Sequence, residues 1–203
     1  LQISAAGALT ALYRQDVFAN NLANMDSVGF KPDIPSQYAR PAVRQEDGLG
    51  WMPSNQLLER LGGGALLNPN RIHFGQGSIR VTGREFDVAM EGKGFLVVRD
   101  ASNEGDSQVR LTRDGRLARN ARGELVMAGS GLPVLDTNGS PITLADAGQV
   151  TIDSVGRIAQ GGRTVAQLQL IEVPDEQRLR KVGASMFAPT ADMMDNKKVA
   201  TGT

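Results

Sequence analysis

The residues that could do chemistry in this chain are few. His73 is the single histidine among 203 residues, and there is no cysteine. Disulfides, thiolate nucleophiles and cysteine metal sites are therefore excluded, and any serine–histidine relay would have to use His73. No G-x-S-x-G nucleophile turn accompanies it. Because His73 stands alone beside Phe74 in a glycine-rich stretch, we interpret it as structural.

The run Glu91-Gly92-Lys93-Gly94 invites comparison with a phosphate-binding loop but does not fit one. A Walker A loop needs a glycine five positions before Gly92, where this chain has Asp87. It also needs serine or threonine after Lys93, where this chain has Gly94. A turn between two strands is the better prediction, since glycine tolerates positive φ.

Four aspartates are the remaining candidates, and each lies beside a predicted turn: Asp114, Asp136, Asp146 and Asp153. Aspartate in a turn accepts hydrogen bonds from backbone amides. None of the four belongs to a D-x-D-x-D-G calcium loop. A pair of acids facing each other across a cleft, as in a glycoside hydrolase, stays open.

Charge and hydropathy exclude further classes. Lysine plus arginine and aspartate plus glutamate number 22 each, so no overall field would attract nucleic acid. No apolar run approaches the roughly 20 residues that span a membrane, and the start lacks the pattern of a signal peptide. We predict no cofactor, no bound metal, no nucleic acid partner, no membrane insertion and no enzymatic activity.

Residues 1–24 predict a helix with an alanine-rich apolar stripe. Stripe positions recur at spacings of four and three, typical of a coiled-coil seam, and Gln15 is its one polar interruption. We expect the stripe to pack against another helix, from this or another subunit; packing on its own domain is the alternative. The stripe comprises Leu1, Ala5, Ala8, Leu12, Gln15, Ala19 and Leu22.

The predicted helix ends in an amide-rich turn. Asparagine competes for nearby backbone groups and prefers helix ends, so three asparagines within five positions indicate a terminus. An extended segment is expected to follow. The residues are Asn20, Asn21, Leu22, Ala23 and Asn24, followed by Gly29, Phe30 and Lys31.

The fold class predicted is mainly β, with an N-terminal α-helix, an extended connector and a compact antiparallel β domain of short hairpins. Twenty-four glycines and nine prolines favour many turns. We predict an assembly helix at 1–28, a connector at 29–75 with a short helical turn over Gln56–Leu61, a β domain at 76–190 and an unstructured tail at 191–203.

Glycines at an eight-residue interval separate the predicted strands. Asp114-Gly115 and Asn138-Gly139 are strong tight-turn dipeptides. The run Val165–Val173 alternates poorly and is expected to be buried on both faces. The other predicted strands are Ser78–Val81, Asp87–Met90, Phe95–Val98, Val109–Thr112, Glu124–Met127, Val150–Ile152 and Arg157–Ala159.

Three stretches together resemble the bacterial flagellar rod and hook proteins. The first is the run Asn20–Lys31, which is similar to the family wording NNLAN…GFK. The second, similar to FxQGxxxxTGxxxDxAIxGxGFF, begins at Phe74-Gly75-Gln76-Gly77 and includes Thr82, Gly83, Asp87, Gly92, Gly94 and Phe95. The third, Thr112-Arg113-Asp114-Gly115, is similar to TRxG. The run Leu132–Leu135 leading into Gly139–Ile142 favours the proximal-rod type over the distal-rod type.

The resemblance implies a structural subunit of the flagellar basal body that polymerises helically into the periplasm-crossing rod for motility. Its implied partners are copies of itself, other rod and hook subunits and the flagellar type III export apparatus, with no cleaved signal peptide. Family members pair the N-terminal helix with a C-terminal helix; the sequence given ends at Thr203 before such a helix, so we expect it to be either a fragment of a longer chain or an atypical member. The alternative is a β-rich module that binds or hydrolyses cell-wall polysaccharide.

Overall fold

A computed structural model of the protein describes residues 2–41, 48, 64–102, 108–183, 185–195 and 198–199. The chain forms two compact units. The helix unit comprises Leu1–Met25 and Pro32–His73, and the β unit comprises Asp26–Lys31 and Phe74–Thr203. The short segment Asp26–Lys31 therefore belongs to the β unit, although both of its flanks belong to the helix unit.

The helix unit consists of α1 (Gln2–Ala23) lying against an antiparallel pair, β1 (Asp33–Ala39) and β2 (Ala65–Ile72). One side of α1 is buried or half-buried, at Ala6, Thr10, Val17 and Asn21. The Thr10 hydroxyl donates to the Ala6 carbonyl one turn earlier, so this buried polar group is satisfied. The predicted N-terminal helix is confirmed.

The two strands pair Asp33 with Ile72 at one end and Ala39 with Ala65 at the other. Their register shifts between Ile34 and Ser36, on either side of Pro35. Proline has no amide hydrogen to give to the strand ladder, and a bulge is one of the places where a strand tolerates it.

The described residues of the β unit form one six-stranded sheet and two smaller ones. The six-stranded sheet has the order β11 (Arg180–Gly183), β12 (Met186–Ala188), β4 (Val109–Thr112), β3 (Phe95–Arg99), β10 (Leu170–Glu172) and β13 (Lys198–Val199). The second sheet pairs β5 (Leu117–Arg119) with β6 (Leu125–Met127), and the third is β7 (Val150–Ile152), β8 (Arg157–Gln160) and β9 (Arg163–Gln167). Every strand pairing is antiparallel.

Apolar side chains from all three sheets share one core. Leu96 and Val98 of β3, Leu125 of β6 and Ile158 of β8 are all fully buried in it. Short strands of three to five residues can bury many apolar side chains, because tight turns return the chain to the core at short intervals. The predicted fold class, mainly β with an N-terminal helix and short antiparallel strands, is confirmed.

The turn at Asp136–Ser140 is an example of these tight turns. The Asp136 carboxylate accepts the backbone amides of Asn138 and Ser140, and Gly139 takes a φ of 78°. A left-handed residue at this position is what an Asn-Gly turn supplies. The prediction that Asp136 is a turn residue is therefore correct.

Several strand predictions were wrong. Neither Ser78–Val81 nor Asp87–Met90 forms a strand, because neither run has an antiparallel neighbour in the described part of the chain. The run Val165–Val173 divides between β9 and β10, and β9 is largely exposed because it is the edge of its sheet. The sequence pattern also missed β5, β11 and β12, which are short. β5 pairs with β6 and β11 with β12, each the next strand in the chain, whereas β12 also pairs with the distant β4.

The tail was predicted to lack structure, which is wrong for its described part. A short helix, α2 (Ala191–Asp195), precedes β13, and β13 pairs with β10. Met193 of α2 is buried. The predicted helical turn over Gln56–Leu61 and the glycines at 62–63 lie outside the described residues.

Candidate assembly site

The apolar stripe of α1 is exposed. Leu12 retains 58% and Leu22 68% of their accessible surface, and Ala5, Ala8 and Ala19 are also exposed. At 3.6 residues per turn the stripe lies on the side of α1 opposite the face that packs on β1 and β2. Leu9, Phe18 and Met25 add further exposed apolar surface beside the stripe. A contiguous patch of this kind marks an interaction surface.

The asparagines at the end of α1 hold the helix terminus to β1. The Asn21 side-chain amide donates to the Asp33 carbonyl at 2.8 Å, and its oxygen accepts the Asp33 amide at 3.0 Å. Asn24 donates from its side chain and its backbone to the Asn20 carbonyl, which caps the last turn. Ala23 is the last residue of α1 and is exposed. These residues therefore satisfy backbone groups where the helix ends.

The segment Asp26–Lys31 is packed closely on the β unit. Gly29 has a φ of 70°, and a β-carbon at this position would come within 2.4 Å of the Asp114 amide nitrogen. Only glycine fits such a contact. Phe30 lies beneath the Lys181 ammonium, 4.8 Å from ring centre to nitrogen. Lys31 is buried, and its ammonium donates to the Gly75 carbonyl at 2.8 Å.

Lys31 belongs to a basic cluster with Arg113, Gln76 and Glu176, in which the two cations are buried, Glu176 is half-buried and Gln76 is exposed. The Arg113 guanidinium lies 5.0 Å from the centre of the Phe95 ring, 3.5 Å from the Gln76 side-chain oxygen and 4.0 Å from the Glu176 carboxylate. Its Nε atom is buried without a hydrogen-bond partner among the described residues. Two buried cations thus share one half-buried carboxylate.

The electrostatics of the cluster follow from that imbalance. Burial lowers the pKa of Lys31, the neighbouring Arg113 charge lowers it further, and Glu176 opposes both effects. Burial also lowers the pKa of Arg113, again opposed by Glu176. Arg113 nevertheless stays charged, since an arginine does not lose its proton in a protein. The cluster is therefore costly to bury and must be held together by the surrounding packing.

Three phenylalanines pack into a triad below the cluster. Phe74, Phe95 and Phe187 have ring centroids 5.5–5.9 Å apart, in edge-on or tilted arrangements. Such pairs stabilise by about 0.5–1.5 kcal/mol beyond the area they bury. The triad joins the start of the second motif to its last residue, Phe95, and to β12.

The third motif is a network of hydrogen bonds at the end of β4. The buried Thr112 hydroxyl donates to the Ser185 carbonyl and accepts the Asp114 amide, each at 3.0 Å. The Asp114 carboxylate accepts from the Arg116 amide and guanidinium, which raises the pKa of Arg116. A β-carbon on Gly115 would lie 1.7 Å from the Val88 carbonyl oxygen. The Asp114 carboxylate is therefore occupied by turn and ion-pair contacts.

The structure thus brings together the last residues of the first motif (Gly29–Lys31), the third motif and the two ends of the second. Gly29, Lys31, Phe95, Arg113 and the buried Gly115 lie in or beside this assembly. The middle of the second motif lies elsewhere: Thr82 and Gly83 are exposed, and no heavy atom lies within 4 Å of the position of a Gly83 β-carbon. Asp87 is half-buried, while Gly92 and Gly94 belong to the loop before β3, which is the predicted turn without its first strand.

Sequence reasoning missed three residues of this assembly: Lys181, Glu176 and Phe187. Each lies more than 60 residues from its motif partner, so no local spacing indicates the contact. The aromatic side chain of Phe187 was the one local feature from which its burial could have been predicted.

The candidates for chemistry have ordinary structural surroundings. His73 is exposed, and its backbone amide donates to the Pro32 carbonyl. Asp153 accepts two backbone amides in its turn, and Asp146 pairs with Arg119. Among the described residues no group of three or more histidine, cysteine or acidic side chains could hold a metal ion. In the same part of the chain, no helix is long and apolar enough to cross a membrane.

Comparison with known proteins identifies the family. Residues 1–31 match the family model "Flagella basal body rod protein", and residues 89–160 match "Flagellar hook protein FlgE/F/G D1 domain". The flagellar basal-body rod protein FlgF of Caulobacter vibrioides is 32% identical over 95% of this chain and 73% of its own length. The chain belongs to the flagellar basal-body rod protein family.

Other relatives give the same assignment for this rod protein. FlgG of Caulobacter vibrioides is 27% identical over 94% of the chain, and the hook-basal body complex protein FlhP of Bacillus subtilis is 28% identical over 92%. The chain spans about three quarters of the length of each of these three relatives, FlgF, FlgG and FlhP. These relatives are consistent with the proximal-rod type that the sequence favours. The matched range 1–31 covers α1, the asparagine-rich terminus and Lys31.

Proposed function

We propose that this rod protein assembles through α1, whose exposed apolar stripe packs against helices of neighbouring subunits. Family membership makes the chain a structural subunit of the flagellar basal-body rod. The observation that carries the proposal is the exposure of Leu12 and Leu22 on the side of α1 that faces away from β1 and β2. Alanines at positions 5, 8 and 19 allow a partner helix to approach closely along the same stripe.

Assembly is helical under this proposal. A heterologous contact between identical subunits, repeated without closing, produces a filament rather than a ring. The partners are further copies of this chain and other rod and hook proteins, and the product is the shaft that crosses the periplasm. Delivery by the flagellar type III export apparatus is part of the same proposal and rests on family membership.

We infer that the protein is not an enzyme. Its four candidate aspartates lie in turns or ion pairs, and the matched families are named for the rod and hook of the flagellum. The alternative of a polysaccharide-binding or hydrolytic module finds no support in these relatives.

The test is a double substitution in the stripe, Leu12→Asp with Leu22→Asp, in the complete gene product expressed in its own bacterium. We expect loss of motility and of incorporation into rods, because each buried carboxylate would lose its hydration in the helix contact. The purified variant should keep its thermal unfolding midpoint, since surface substitutions change stability by at most about 0.5 kcal/mol.

The matched control is Arg14→Glu, which changes the charge of α1 by the same amount at an exposed position outside the stripe. This control should assemble normally. Normal rods in the stripe variant, or equal loss in both variants, would contradict the proposal.

A further inference from the structure

Three different kinds of contact hold the segment Asp26–Lys31 on the β unit. Gly29 contributes shape, because its backbone lies directly on that of Arg113 and Asp114. Phe30 contributes its ring, which lies beneath the ammonium of the half-buried Lys181. Lys31 contributes a single directional bond, from its ammonium to the Gly75 carbonyl. Of these, only the Lys31 bond ties the segment to the start of the second motif.

Lys31 is energetically unfavourable at this position. Only 7% of it is exposed, and Arg113 lies close enough to disfavour a second positive charge. Burying an ammonium costs stability, because the charge loses its hydration and is repelled by the neighbouring guanidinium. Stability alone therefore does not account for a lysine here. A directional bond, which an apolar residue cannot make, does account for it.

We propose that Lys31 is a positioning residue for rod assembly, which holds the segment that follows α1 in one place on the β unit. The bond to Gly75 fixes the segment, and Glu176 balances the added charge. This inference rests on the proposed function, since a fixed segment matters only if α1 must be presented in register to its neighbours.

The test uses Lys31→Met, which keeps the length of the side chain and removes the donor. The amide of Phe30, which donates to the Ser27 carbonyl within the segment, reports its local opening by hydrogen exchange. Loss of a charged donor should speed this exchange about 10- to 100-fold. The exposed Lys93→Met is the matched control and should leave the exchange unchanged.

A double-mutant cycle separates positioning by the charge from simple packing. Glu176→Gln should speed exchange at Phe30 in the native background, because the cluster then carries two uncompensated cations. In the Lys31→Met background the same change should have a much smaller effect, since one of the two cations is gone. A packing role for the lysine stem predicts additive effects instead.

Three results would overturn the inference: unchanged exchange in Lys31→Met, additive effects in the cycle, or normal rod incorporation by Lys31→Met. The expected result is faster exchange together with reduced incorporation. The Leu12→Asp, Leu22→Asp protein should show native exchange at Phe30 and no incorporation. Its outcome therefore tests the proposed function separately from the role of Lys31.

Discussion

Three glycines in this protein separate the cost of backbone conformation from the cost of close approach. Gly83 has a φ of 71° and no heavy atom within 4 Å of its β-carbon position. Gly115 has no positive φ, yet its β-carbon would lie 1.7 Å from the Val88 carbonyl oxygen. Gly29 combines both features, with a φ of 70° and a contact of 2.4 Å to the Asp114 nitrogen. Alanine at Gly83 therefore tests the cost of backbone conformation, alanine at Gly115 tests the cost of close approach, and alanine at Gly29 tests both together.

The magnitudes follow from those geometries. Gly83→Ala should cost about 1 kcal/mol, the left-handed penalty reduced by the smaller entropy of the unfolded chain. Gly115→Ala should cost about 3 kcal/mol, because backbone must move to admit the methyl group. Gly29→Ala adds the left-handed penalty to a clash with backbone and should cost about 3–4 kcal/mol.

Urea and thermal unfolding of the three variants provide the assay. For a chain of this size each kcal/mol lowers the unfolding midpoint by about 2–4 °C. We expect Gly83→Ala to unfold within a few degrees of the native protein and the other two much earlier. If Gly29→Ala were no less stable than Gly83→Ala, the close packing of Asp26–Lys31 on Arg113 and Asp114 would be refuted.

Two further predictions concern single polar side chains. Asn21→Ala removes both hydrogen bonds to Asp33 and should lower the free energy of unfolding by about 1–2 kcal/mol. Hydrogen exchange of the Asp33 amide should become faster. The control is Asn20→Ala, at an exposed side chain, which should change little. The lowered pKa of Lys31 means that the unfolded chain binds more protons than the folded one between the folded-state pKa and 10.5, so stability should rise with pH in that window. Urea unfolding of native protein and Lys31→Met up to about pH 10 checks this, and parallel curves would count against it.

Local patterns predicted the elements whose causes are local. The helix α1 follows from its alanine and leucine content and ends at the asparagines, where side-chain amides replace helical hydrogen bonds. Most of the strands in the β unit lie where alternating or continuous apolar runs stand between turn glycines. The turn positions of Asp114, Asp136 and Asp153 were also predicted, because the hydrogen bonds of such turns need only neighbouring residues.

Pairing partners could not be predicted in the same way. Ser78–Val81 has the composition of a strand and is not one, because a strand needs a neighbour to bond with. The strand β12 was missed for the opposite reason: its composition is weak, and pairing with the distant β4 holds it in the sheet. The strand β11 pairs in turn with β12. Both errors arise because sheet formation depends on residues far away in the chain.

The N-terminal helix with its apolar stripe, the turn-rich β body, the single histidine and the lack of cysteine can all be derived from the amino-acid sequence. The exposure of the stripe and the clustering of Lys31, Arg113 and Glu176 follow only from the three-dimensional fold. Motif spacing records which residues are near one another along the chain. The cost of burying Lys31 beside Arg113 depends on which residues the fold brings together in space.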